Sequence, residues 1–193
     1  MDKVKKDHAG VCVARRGFLR KLGVATLGLA TTKAALADGD GRRLLSFVHT
    51  HTAEQLTAVY YEAGAYCSAV LQRVNELLRD FRTDTVFPID PLLLDRLFVL
   101  QSVAGNHEPF QVISGYRSPA TNAALRERSR GVAAHSLHMQ GRAIDVRLPG
   151  FATDRLALLA RQQAGGGIGF YRVSDFVHLD TGRVRNWGDR IEA

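Results

Sequence analysis

Apolar and polar positions change rhythm several times along the 193 residues, and each change predicts an element. The stretch LLSFVHTHTAEQLTAVYYEAGAY, residues 44–66, alternates in places and is rich in Val, Thr, Tyr and Phe. It predicts two short strands joined around Thr52 to Glu54, with Gly64 as a second turn. From 68 to 81 the spacing becomes helical, with Val70, Leu71, Val74, Leu77 and Leu78 on one face. RTDTVFPID reads as a connecting loop, after which Asp90 caps and Pro91 begins a helix running to about Ala104. PFQVISGYRSP, residues 109–119, gives a strand ending in a turn, and Ser118 with Pro119 opens a helix through Arg128. A polar, glycine-containing loop leads to the strand AIDVRL at 143–148. Thr153 is expected to cap a helix from Asp154 to about Gln163, ended by the glycines at 165–167. IGFY (168–171) and DFVHLD (175–180) read as strands, with a glycine turn at Gly182 before RVRNW. No repeat or low-complexity segment interrupts the series. The expected class is α+β, a small, mainly antiparallel sheet with flanking helices.

Charge changes this picture only at the N-terminus. The composition, 46% hydrophobic and 23% charged, is that of a globular chain with a sizeable core. The net charge is +7, but residues 1–37 hold eight basic groups against two acidic ones, leaving 18 against 17 in the remainder. The body carries no basic stripe with interleaved aromatics, which argues against nucleic acid as a partner. The basic leader pairs Arg15 and Arg16, follows them with Phe18 and Leu19, continues through a mildly apolar Leu22 to Ala30, and reaches ALA at 35–37. That is the layout of an export signal. It resembles a twin-arginine (Tat) signal, with cleavage expected after Ala37 and residues 38–193 as the exported domain. The apolar stretch is too short to span a bilayer, so no permanent membrane anchor is expected. The expected compartment is the periplasm, reached through the Tat machinery. Cys67 would then be the only cysteine of the mature chain, excluding an internal disulfide.

Two strand positions break the apolar rule. In AIDVRL, alternation groups Ala143, Asp145 and Arg147 on one face and Ile144, Val146 and Leu148 on the other. In DFVHLD, His178 shares a face with Phe176 and Asp180, while Val177 and Leu179 face the core. A carboxylate within an apolar strand is costly without a partner. Two such residues with a loop histidine could make the two-histidine, one-carboxylate set of a catalytic zinc, which keeps its fourth position for water. On spacing alone the plainer readings stay open: a hydrogen-bonded structural histidine, and Asp145 paired with Arg142 or Arg147.

SLHMQGRAID, residues 136–145, matches the S-x-H-x-x-G-x-A-x-D pattern of the zinc D-Ala-D-Ala peptidases. That pattern is shared by the larger LAS metallopeptidase group, which includes lysostaphin, VanX-type dipeptidases and hedgehog domains. SGYRSP upstream, GGGIGFYRVSDFVHLDTGRVRNW downstream and the FRTD…PIDPLLLD segment extend the similarity over essentially the whole mature chain. They resemble most closely the murein endopeptidase K-like branch. The resemblance implies a hedgehog/D-Ala-D-Ala peptidase-like fold, with His138, Asp145 and His178 as Zn2+ ligands. It makes Asp175 the general base and Arg117 the residue that holds a substrate carboxylate or stabilises the oxyanion. Ser136 would contact substrate or shape its loop. Asp180 stands where some relatives carry a histidine, and would either orient His178 or compete with Asp175 as base. His135 is expected at the loop surface, His49 and His51 in structural roles, and Trp187 in packing or, less simply, stacked on substrate. Zinc can lower the pKa of bound water to about 7, and a nearby carboxylate can carry the proton to the leaving amine. The implied function is a periplasmic zinc endopeptidase acting on peptidoglycan cross-links. The alternatives are a murein-binding module with structural zinc, or a D-Ala-D-Ala carboxypeptidase or dipeptidase.

Overall fold

A computed structural model describes residues 41–129, 131–163 and 165–191. The expected export signal, residues 1–37, lies outside them. The elements run β1 (Arg43–His49), β2 (Gln55–Glu62), β3 (Ala65–Tyr66), α1 (Ser68–Leu77), α2 (Pro91–Ala104), β4 (Phe110–Ser114), α3 (Pro119–Arg128), a 3-10 turn (Leu137–Gln140), β5 (Ala143–Arg147), α4 (Thr153–Gln162), β6 (Gly167–Tyr171), β7 (Phe176–Asp180) and β8 (Arg185–Gly188).

The strands form one eight-stranded sheet in the order β3-β2-β1-β4-β5-β7-β6-β8. This corrects the expectation of a small, mainly antiparallel sheet. The sheet is mixed: β1 pairs in parallel with β4, and β6 in parallel with β8. Alternation within a strand reports its faces and not its neighbours, and both parallel pairings join strands separated by other elements. Between β1 and β4 the chain passes through β2, β3, α1 and α2, which supplies the long crossover a parallel pair needs.

One face of the sheet is filled with apolar side chains. Leu45, Phe47, Phe110, Val112, Ile144, Val146, Ile168, Phe170, Val177 and Leu179 are buried there with Val70, Val74 and Leu77 of α1, the leucines at 93, 94, 97 and 100 of α2, and Leu156 and Ala160 of α4. Each fully buried large side chain contributes roughly 1.5–3 kcal/mol. On β5 and β7 the opposite face carries the anomalous Asp145 and His178, which are direct register partners.

The expected caps hold at two helices. Asp90 accepts the Leu92 N–H at 3.0 Å, and Ser118 accepts the Thr121 N–H at 3.2 Å. They fail at α4, where Ala152 is the cap and the Thr153 hydroxyl is turned instead to Asp175. Helix α1 stops at Leu77 rather than 81, and just past its end the Leu78 carbonyl accepts the Tyr116 N–H at 2.7 Å. Only glycine permits that docking, since a Cβ at Gly115 would stand 2.5 Å from the Leu78 oxygen. The SGYR loop is thereby seated beneath the metal-ligand candidates. Among the described residues no helix is long and apolar enough to cross a membrane.

Candidate metal centre

His138 rides on the 3-10 turn Leu137–Gln140. The Ser136 hydroxyl accepts the His138 N–H at 3.4 Å, and Gly141 ends the turn in the left-handed conformation at φ 65°. The serine and glycine of S-x-H-x-x-G are therefore its start and stop. Asp145 and His178 come from the two adjacent antiparallel strands β5 and β7.

The three side chains converge. His138 Nε2 lies 3.3 Å from Asp145 Oδ1 and 3.1 Å from His178 Nδ1, and His178 Nδ1 lies 2.8 Å from Asp145 Oδ1. One ligand atom from each lies within 4.8 Å of the other two. All three residues are at least nine-tenths buried.

The outer ring nitrogens explain which atoms face inward. His138 Nδ1 donates to the Gly115 carbonyl at 2.7 Å, and His178 Nε2 faces Asp180 Oδ2 at 3.3 Å. The Gly115 carbonyl thus draws the His138 ring proton outward, and with the His178 proton on Nε2 toward Asp180, two nitrogen lone pairs and a carboxylate oxygen would be free to hold an ion at one point. Oxygen acceptors behind metal-bound imidazoles fix tautomer and ring orientation in the same way. Burial favours the neutral form of Asp145, yet His138 and His178 hold its carboxyl well below the usual range. Burial lowers the His138 pKa against the pull of Asp145. For His178 burial also lowers it, but hydrogen bonds to Asp145 and Asp180 outweigh that and raise it. Two imidazole nitrogens and one carboxylate suit a divalent cation, and zinc in particular.

The structure brings Arg117 to this cluster. Its Nη2 lies 3.3 Å from Asp145 Oδ2 and 3.3 Å from Ser114 Oγ. Asp180 is also present, fully buried, accepting Gly167 N–H and Gly182 N–H at 2.8 Å each and Arg185 Nη2 at 2.7 Å. Ser136 is buried and its hydroxyl is occupied as a cap.

Asp175 is not drawn to the triad. Its exposed carboxylate accepts the Thr153 hydroxyl and Arg147 Nη1, the latter at 3.1 Å, and those partners hold its pKa below the ordinary value. It lines a shallow cavity of about 170 Å³ with Thr153, Asp154, Phe170 and Arg172, which none of the three clustered residues borders. His135 is exposed, as expected. His49 and His51 pack with Phe81, away from the cluster. Trp187 lies against His178 with ring centroids 5.1 Å apart and donates Nε1–H to the Tyr171 hydroxyl. Arg185 was not singled out by sequence, although it stands in the same RNW run.

A buried two-histidine, one-carboxylate cluster on a mixed sheet is the layout of a metallohydrolase centre. Residues 37–187 match the family model described as Peptidoglycan L,D-endopeptidase MepK. The peptidoglycan L,D-endopeptidase MepK of Escherichia coli (strain K12) is 40% identical over 177 residues, covering 90% of this chain and 97% of the relative. A probable peptidoglycan L,D-endopeptidase MepK of Haemophilus influenzae is 36% identical over 170 residues, covering 86% and 91%. The chain belongs to the peptidoglycan L,D-endopeptidase MepK family. Among solved structures, the Serratia marcescens L-Ala D-Glu endopeptidase ChiX aligns with 49% of this chain and 68% of its own at TM-score 0.33 and 19% identity. So partial a superposition leaves the assignment to the sequence relatives.

Proposed function

We propose that this protein is a zinc-dependent murein endopeptidase that hydrolyses amide bonds in peptidoglycan cross-links, working in the periplasm after twin-arginine export. The observation that carries the proposal is the convergence of His138, Asp145 and His178, with both outer ring nitrogens engaged by oxygen acceptors. Family membership supports the substrate class, and the relatives' name favours L,D bonds over removal of a terminal D-alanine.

His138 Nε2, His178 Nδ1 and an Asp145 oxygen would hold the ion. When bound, zinc supplies Lewis-acid chemistry at that point. Arg117 is tied to Asp145 through Nη2, while its buried Nε has no hydrogen-bond partner among the described residues. In this reading that guanidinium would hold a substrate carboxylate or stabilise a developing oxyanion. Ser136 serves in this reading by shaping the His138 loop.

Two carboxylates compete for proton transfer. Asp180 is sealed and committed to backbone, arginine and histidine donors, which suits it to orienting His178. Asp175 is exposed and ionised, and takes the general-base role once its side chain leaves Arg147 and Thr153. It would take a proton from water and pass one to the leaving amine.

The test is digestion of purified muropeptide dimers joined through two diaminopimelate residues, with the full chain zinc-loaded or stripped by chelator. Monomers that appear only with zinc are expected. Intact dimers with the zinc-loaded chain would contradict endopeptidase action. Intact dimers together with binding to sacculi would favour the murein-binding module.

A further inference from the structure

Strand β8 lies at the edge of the sheet, paired in parallel with β6, and carries two side chains onto the face that bears His178. Register sets Arg185 beside Gly167 and Trp187 beside Gly169, and Gly169 is the partner of His178 on the other side of β6. Nothing larger than glycine fits on β6 there. A Cβ at Gly167 would stand 2.5 Å from Asp180 Oδ2 and 2.7 Å from Arg185 Nη1, and one at Gly169 would stand 2.7 Å from the Trp187 ring. β6 is therefore bare where β8 side chains reach across it toward β7.

One reach ends on Asp180 behind His178, and the other on the His178 ring itself. The Arg185 guanidinium grips the Asp180 carboxylate with two nitrogens, Nη2 to Oδ2 at 2.7 Å and Nη1 to Oδ1 at 3.2 Å. Asp180 Oδ2 in turn faces His178 Nε2. The same guanidinium stands 4.8 Å from the Trp187 ring centroid, and Trp187 packs on the His178 ring. One side chain thus braces both the acceptor behind His178 and the wall beside it. We infer that Arg185 is a positioning residue for the metal centre: through Asp180 and Trp187 it fixes which nitrogen His178 presents to the ion, and in what direction.

The inference rests on the reading of His138, Asp145 and His178 as a zinc site, and the experiment separates the two. Zinc affinity of the full chain is measured by competition with a chromophoric chelator for wild type, Arg185→Ala, Arg185→Lys, Asp180→Asn and the Arg185→Ala/Asp180→Asn pair. Thermal unfolding identifies variants folded at the assay temperature. Groups that brace a metal-bound imidazole are worth about 10–100-fold in metal affinity. Arg185→Ala is expected to bind zinc at least about tenfold more weakly while folded. Arg185→Lys, which keeps the charge but loses the two-nitrogen grip, should fall between. The pair should lose less than the product of the two single losses, because the two residues act in part through one shared contact. A purely architectural role for Arg185 would lower the melting temperature and leave zinc affinity unchanged, and that result overturns the inference. So does a pair whose losses multiply. Should Arg185→Ala not fold, wild-type affinity in Arg185→Lys overturns it equally. A wild-type chain that binds no zinc overturns the metal reading and this inference with it.

Discussion

Strand β7 begins beside one aspartate and ends on another, and the two occupy different surroundings. Asp175 stands at φ 51°, exposed, held by a surface arginine and a threonine hydroxyl. Asp180 is wholly buried, held by two backbone N–H groups and Arg185, with His178 Nε2 in front of it. Both carboxyls are pulled below their ordinary pKa, but for different reasons. Thr153 and Arg147 act on Asp175. At Asp180, burial works in the other direction and is outweighed by His178 and the backbone donors. The residue type is the same and one strand joins the two positions, so accessibility decides what each can do. A buried, fully committed carboxylate orients a neighbour, whereas a proton carrier must be reachable by water and substrate.

Removing what lies between the two aspartates should have the largest effect. His178→Ala takes away a proposed ligand, and is expected to lose zinc and reduce muropeptide cleavage to background while the chain stays folded. Full activity in that variant would break the account. Next, the two ends should separate in kind. Asp175→Asn should lower kcat by about 10²–10⁴-fold with zinc affinity unchanged. Asp180→Asn should weaken zinc by about 10–100-fold. If Asp175→Asn leaves kcat intact, the open end of β7 has no part in proton transfer, and the comparison loses half its meaning.

A smaller effect tests the loop that supports His138. Asp80 is buried, accepts the Ser118 N–H at 2.8 Å and the Arg82 N–H at 3.0 Å, and joins the end of α1 to the start of α3. Asp80→Ala strands those donors and should cost about 1–3 kcal/mol in chemical denaturation. Burial raises the Asp80 pKa, but its hydrogen bonds, led by Ser118, bring it down to about 2 from the ordinary 3.8. A depressed carboxyl stabilises the fold above the unfolded value and loses that contribution as pH falls through the folded one. Wild type should therefore lose this increment between about pH 4 and pH 2. The Asp80→Ala difference should shrink over the same window, and a difference constant with pH would contradict the assignment.

Local signals explain what was legible in the sequence. Asp90 before Pro91 and Ser118 before Pro119 marked helix starts, because a cap and an N-terminal proline act within a few residues. Asp145 and His178 stood out as polar residues in apolar strands, and register brings them opposite each other. Neighbour relations were hidden. The parallel β1–β4 pairing joins residues over sixty positions apart and leaves no mark on alternation. Thr153 looked like a cap, but its hydroxyl is spent on Asp175, 22 positions away. The same distance problem concealed the Arg147–Asp175 pair, and with it the separation of Asp175 from the triad. Arg185 lay inside the RVRNW run of the resemblance but gave no periodic signal of its own, since its meaning depends on two glycines on the strand beside it.

The most direct test of the metal assignment is zinc-edge X-ray absorption on the zinc-loaded full chain, compared with His178→Ala. The account predicts one zinc per chain in a shell of nitrogen and oxygen at about 2.0–2.2 Å, with scattering from two imidazoles that falls to one or disappears in the variant. Sulfur scattering near about 2.3 Å, which would implicate a cysteine, Cys12 or buried Cys67, or a spectrum unchanged by His178→Ala, would contradict it.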